Sequence, residues 1–327
     1  MAAAYIAAAV FVRCRMSVII LKQTLIMLIL MLVGVLCSKT GIISQNSNKD
    51  LSKFVLQVVN PVVIFMSYQK DYEHELAENL LLTFLISFLS MALAIILAKF
   101  IVREKKDRDT AIERFSSVYS NCGFMGIPLV NAMFGSEGVF YLTAYITVFN
   151  ILAWTHGIIL ISGEKNFKQA VKVLYSPTMI AIYLGIIFFF AQIRLPEIPY
   201  QSLEFISSLN TPMAMIVSGV TMSATNITAM VKNINIYKVC FLKLIFIPFV
   251  ISLLIILLCP HDTDSKVKLT VIIAASAPPA TMCTLQALRY GKNSLYASEI
   301  FTAGTILSVI TLPIITKLTE ILTKTFV

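Results

Sequence analysis

Apolar stretches of about 20 residues follow one another along nearly the whole chain, and no other feature limits its folding so severely. Inside hydrocarbon every backbone N–H and C=O must find its partner within the protein, which leaves helices and closed barrels, and runs of this length select helices. Composition agrees: 58% of the 327 residues are hydrophobic and 13% charged, with mean hydropathy +0.85. An ordinary soluble domain carries roughly 25% charged residues. The chain reads as an all-α polytopic membrane protein.

A net charge of +9 suggests nucleic acid only where basic residues form a face. Here they sit in short loops, where Lys and Arg set membrane topology. None of the six cysteines forms a CxxC pair and most lie in apolar spans, so they read as packing residues. His74, His156 and His261 are too scattered for a metal site. No cofactor is required.

The pattern predicts ten spans, at residues 18–37, 54–69, 80–102, 115–134, 139–162, 178–193, 205–223, 236–259, 268–288 and 298–320. The first fifteen residues, MAAAYIAAAVFVRCR, do not match a secretory signal, whose charges precede its apolar part. They read as an extension without function, with Met16 as the working start. Residues 16–162 and 178–327 then form two five-helix units joined by a short cytoplasmic linker at 163–177. Loops after spans 1, 3, 5, 7 and 9 hold 17 of the 26 Lys and Arg residues, Lys243 counted among them. The positive-inside rule places both termini outside the cytoplasm.

Span 4 is interrupted. FSSVYSNCGFMGIPLVNAMF, residues 115–134, carries Asn121, Gly123, Gly126 and Pro128 in the middle of a lipid-length run. Irregular backbone at that depth is tolerated where it lines a cavity. Span 9, with AASAPPAT, is broken likewise at Pro278 and Pro279. Gly34 and Gly185 are 151 residues apart, and so are Pro61 and Pro212, and Pro128 and Pro279. This pairs spans 1 with 6, 2 with 7 and 4 with 9. Because five spans per half is odd, the repeat is expected to be inverted in topology, with helices 4 and 9 crossing near the bilayer centre.

Proline ends one half-helix and suits the first turn of the next. Each second half-helix presents unpaired N–H groups and about half a positive charge at its start. Two of them aimed at one point favour an anion through peptide dipoles, without a cationic side chain. Ser117, Ser120, Asn121, Ser276, Thr281 and Thr284 could add hydrogen bonds. The alternative is that the prolines only kink packed helices.

SNCGFMGIPLV closely resembles the signature of the auxin efflux carrier family, which includes plant auxin carriers and bacterial malate and malonate permeases. LSKFVLQVVNPVVIF, FNILAWTHGIILISG and AASAPPAT add to the resemblance, which covers nearly the whole chain from Met16. It implies ten helices in two inverted repeats, with a scaffold and a transport subdomain, and an elevator-like movement of a carboxylate held at the crossover. The motif's residues fall on Asn121, Gly123, Gly126 and Pro128, and the expected substrate-binding set adds Ser120, Ser276, Pro278, Pro279 and Thr281. Pro61 and Pro212 are the expected hinges. The long hydrophilic loop of plant carriers is absent, only about 15 residues from Gly163 to Pro177 joining the halves, which favours a bacterial-type permease.

The expected function is a secondary carrier of small organic carboxylate anions in the cell membrane, and not an enzyme. The chain has no HExxH, GxSxG or GxxxxGK[ST] motif. Expected partners are the anion and the lipid bilayer, with homodimerisation allowed and no nucleic acid. Alternatives are a channel or receptor, or a sodium-coupled symporter using Asn60, Asn150, Asn210 and Thr211. No Asp or Glu falls in mid-span for proton coupling; Glu137, Glu299 and His156 are the nearest titratable groups.

Overall fold

A computed structural model describes residues 2–104, 109–163, 174–259 and 263–325, with side chains at residues 18–319 of these and at 321–322. Most of the expected linker, residues 164–173, lies outside the described residues.

Sixteen helices follow in chain order among the described residues. They are α1 Ala2–Lys39, α2 Gln45–Phe54, α3 Asn60–Ser67, α4 His74–Ile101, α5 Thr110–Val118, α6 Ile127–Leu152, α7 Ile158–Ser162 and α8 Pro177–Phe190. Then come α9 Glu197–Ser208, α10 Asn210–Ser223, α11 Ile227–Lys232, α12 Ile234–Phe241, α13 Ile247–Leu258, α14 Ser265–Ser276, α15 Met282–Arg289 and α16 Ser294–Thr325. Four π-helical turns, at Val55–Val59, Cys122–Gly126, Ala153–Gly157 and Leu242–Phe246, join consecutive helices or lead into one. Side-chain caps start several elements: Ser44 accepts from the Ser47 N–H, Ser176 from Met179 with Pro177 in the first turn, and Asp264 from Lys266.

Among the described residues, seven helical segments are long and apolar enough to cross a membrane: Val18–Lys39, Gln45–Ser67, His74–Ile101, Cys122–Ser162, Glu197–Ser223, Ile234–Leu258 and Ser294–Thr319. Pro177–Phe190 is a shorter apolar helix. The difference from ten predicted spans has physical reasons. Predicted spans 4 and 5 share one helical run that turns sharply at Gly135, whose φ of 63° and ψ of −154° suit glycine. Predicted span 9 is two pieces, α14 and α15, each too short to cross alone. The protein is an all-α, multi-pass helical bundle, and residues 2–15 form the first turns of α1.

Close packing is densest where glycine removes the side-chain layer. A Cβ on Gly34 of α1 would collide with the Ile216 carbonyl of α10, and one on Gly219 of α10 with the Met31 carbonyl of α1. The two helices thus touch backbone to backbone at two levels. Similarly, Gly185 of α8 lies against the ring of Tyr68 at the end of α3. The buried Tyr68 hydroxyl bonds the Thr143 hydroxyl of α6 at 2.6 Å, tying this pair to the centre.

Candidate functional site

The α5 helix stops at Val118, and the chain runs extended through Tyr119 before helix resumes at Cys122. The α14 helix stops at Ser276, and Ala277 is extended (φ −58°, ψ 147°) ahead of Pro278 and Pro279. The two breaks meet. Ser120 and Pro279 form an isolated antiparallel bridge. The Asn121 N–H donates to the Pro278 carbonyl at 2.7 Å, and the Ala280 N–H to the Tyr119 carbonyl at 2.9 Å. Backbone groups freed by the prolines are thereby re-paired across the break, as a low-dielectric setting demands.

Beyond the breaks, the first-turn N–H groups of Cys122, Gly123 and Phe124, and those of Thr281 and Met282, donate to no backbone carbonyl among the described residues. These are the positive ends of the second half-helices. The Asn121 carbonyl accepts from Met125 and Gly126, whereas its side-chain Nδ2 has no partner although the residue is only 5% exposed. A buried amide donor left unsatisfied costs about 1–3 kcal/mol.

Two amides pair beside Gly123. Gly123 faces Asn60, whose Nδ2 would stand 3.3 Å from a Cβ at that position. Asn60 Oδ1 accepts from Asn210 Nδ2, and Asn210 Oδ1 is itself unpaired. Pro128 sits in the first turn of α6, beside a cavity of about 300 Å³ whose walls include Ser67, Asn131, Glu204, Asn210 and Thr211. The nearby hinge candidates differ in setting. Pro61 follows the π-helical turn at Val55–Val59 within a continuous helical path, and Pro212 lies in the first turn of α10, next to the α9–α10 junction at Leu209.

Other predicted residues are distributed unevenly. Ser276 turns its hydroxyl onto its own helix at the Ile272 carbonyl, and Ser117 does the same at Glu113. Thr284 Oγ1 is buried without a partner. Gly126 packs on Cys122. Pro279 fills the space over Gly304 of α16, which no side chain could share.

Lys243 was missed as a site residue. Counted from the sequence as a loop cation, it is 1% exposed in the π-helical turn between α12 and α13. Its ammonium donates to the Val118 carbonyl at 3.2 Å, the Ser120 hydroxyl at 2.5 Å and the Ala275 carbonyl at 3.0 Å. Val118 and Ala275 are the C-terminal ends of the two first half-helices, each carrying about half a negative charge. One cation therefore offsets two converging negative dipole ends, and the expectation of a crossover without a cationic side chain is wrong. The signal was available: LKLIF places this lysine inside an apolar run.

Titratable candidates for coupling have varied settings. His156 Nδ1 bonds the Tyr119 hydroxyl at 2.9 Å. Glu113, just before predicted span 4, is fully buried and accepts from the Tyr296 hydroxyl at 2.8 Å. Glu137 pairs with Lys266 at 2.6 Å. Near them, Lys70 occupies the α3–α4 loop, and burial pulls its ammonium down to about 8, while Glu137 pushes the other way. Among the described residues no group of three or more His, Cys, Asp or Glu could hold a metal.

The family model described as membrane transport protein matches residues 19–172 and 164–316. A transporter from Methanothermobacter thermautotrophicus is 25% identical over 299 residues, covering 90% of this chain and 96% of that one. Another, from Methanocaldococcus jannaschii, is 29% identical over 211 residues, or 61% of this chain and 68% of the relative. Both carry the description of uncharacterised transporter.

Proposed function

The chain belongs to the auxin efflux carrier family of membrane transport proteins, and on that premise we propose that it is a secondary carrier of small organic carboxylate anions. It is a transporter rather than an enzyme. The observation that carries the anion reading is the meeting of two broken helices through two backbone hydrogen bonds, with the N-terminal ends of the second half-helices beyond and Lys243 behind. The balance of charge at that point is positive, and a carboxylate restores neutrality. Asn121 Nδ2 is the unclaimed donor suited to a carboxylate oxygen, and the cavity beside Pro128 is the approach.

The architecture we propose for this activity is ten membrane crossings in two inverted five-helix repeats, residues 16–162 and 178–327. Packing supports it. By the 151-residue offset, α1 corresponds to α8 and α3 to α10; Gly34 brings α1 onto α10, and Gly185 brings α8 onto α3. Such reciprocal pairing is what a pseudo-two-fold relation produces. These four helices form the fixed part and the crossover helices move against them, carrying the anion across the cytoplasmic membrane. Both termini lie outside the cytoplasm, since moving Lys243 out of the loop count leaves the excess of basic residues on the same side.

The test is a panel of radiolabelled carboxylates offered to purified protein in proteoliposomes. Saturable flux with counterflow is expected of a carrier. Flux that neither saturates nor shows counterflow identifies a channel and rejects the proposal.

A further inference from the structure

A lysine buried at the middle of a long apolar helix normally faces a carboxylate. The Lys243 ammonium instead has three donors and three neutral oxygens: the Val118 and Ala275 carbonyls and the Ser120 hydroxyl. Two of those oxygens close helices whose negative ends converge there. A convergent set of carbonyl and hydroxyl oxygens at a helix break is the coordination that half-helix carriers offer to an inorganic cation. In this chain the position is filled covalently.

We infer that Lys243 is a resident monovalent cation of the crossover, occupying an oxygen site that would otherwise draw sodium, potassium or ammonium from solution. Resting on the anion-carrier reading, the inference deepens it: loading a carboxylate needs no co-transported sodium, because the balancing charge travels with the protein. The symporter alternative built on Asn60, Asn150, Asn210 and Thr211 is then unnecessary. Lys243 does not contact the anion, since its three N–H bonds are taken; it fixes the two helix ends and the sign of the field between them.

Thermal unfolding of purified protein tests this without any substrate, so its outcome is separable from that of the flux panel. The wild type should unfold at one temperature whether the salt is sodium, potassium, ammonium or N-methylglucamine chloride. Lys243→Ala should unfold at a lower temperature in N-methylglucamine and recover by at least about 2 °C, saturably, when ammonium, potassium or sodium is supplied. Ser120→Ala, which keeps the ammonium and removes one acceptor, should stay indifferent to the cation. Specific stabilisation of the wild type or of Ser120→Ala by sodium overturns the inference. So does a Lys243→Ala protein that folds and ignores all three cations.

Discussion

Asn210 of α10 donates its side-chain amide to Oδ1 of Asn60 in α3, across 150 residues of chain, and its own Oδ1 is left buried and unpaired. Each asparagine stands beside a proline that the repeat relates, Pro61 and Pro212. Asn60→Ala removes the acceptor that the Asn210 amide has among the described residues and leaves both of its ends without partners there. A loss of about 1–3 kcal/mol is expected, read as a lower unfolding temperature in detergent. Asn60→Asp, which keeps the acceptor, should lose less.

Asn121→Ala should reduce carboxylate flux at least about tenfold, the equivalent of 1.4 kcal/mol, with normal membrane insertion. The backbone bridge to Pro278 does not involve the side chain, so the fold persists while the unclaimed donor is lost. Unchanged flux in an inserted variant counts against the crossover as the anion site.

Gly219→Ala should destabilise the protein more than a glycine-to-alanine change in an open helix. Alanine is the better helix former by about 1 kcal/mol, yet its methyl would strike the Met31 carbonyl, a backbone atom that cannot rotate away. Overpacking of this kind costs about 1–3 kcal/mol. Thermal unfolding of Gly219→Ala beside Gly41→Ala separates steric collision from conformational strain, because Gly41 has positive φ and open space around it.

Lys70 gives a pH signature. Its folded-state ammonium is pulled down to about 8 by burial, below the ordinary lysine value of 10.5. Between those values the unfolded chain binds more protons, so stability rises with pH from about 8 to 10.5; below 8 the destabilising contribution is present in full. Lys70→Gln should flatten that rise. Glu137→Gln should begin it at lower pH, since the Glu137 carboxylate favours the charged lysine. Unfolding temperatures across pH 7–10.5 for the three proteins check both directions.

The breaks were legible in the sequence because proline and glycine act on the backbone locally, wherever the chain goes. Pro128, Pro278 and Pro279 announced interruptions, and the breaks in predicted spans 4 and 9 do meet, at the Ser120–Pro279 bridge. The turn at Gly135 likewise falls between the predicted fourth and fifth spans. Lys243 was obscured by its neighbours: Lys232 and Lys238 precede it, and a third lysine reads as one more loop charge until α12 is seen to begin at Ile234. Glu113 escaped because α5 starts at Thr110, earlier than hydropathy alone suggests, drawing a carboxylate inside. The partnership of Tyr296 with that carboxylate spans 183 residues and leaves no trace in local pattern. Nor could composition separate Ser120, which meets the ammonium, from Ser276, which folds back on its own helix.

The join between the two interrupted segments is written in main-chain atoms: Asn121 to Pro278, Ala280 to Tyr119. Such a fastening is blind to what hangs from the chain. Side chains around it can be exchanged, and the space and polarity beside it altered, while the clasp itself stays shut.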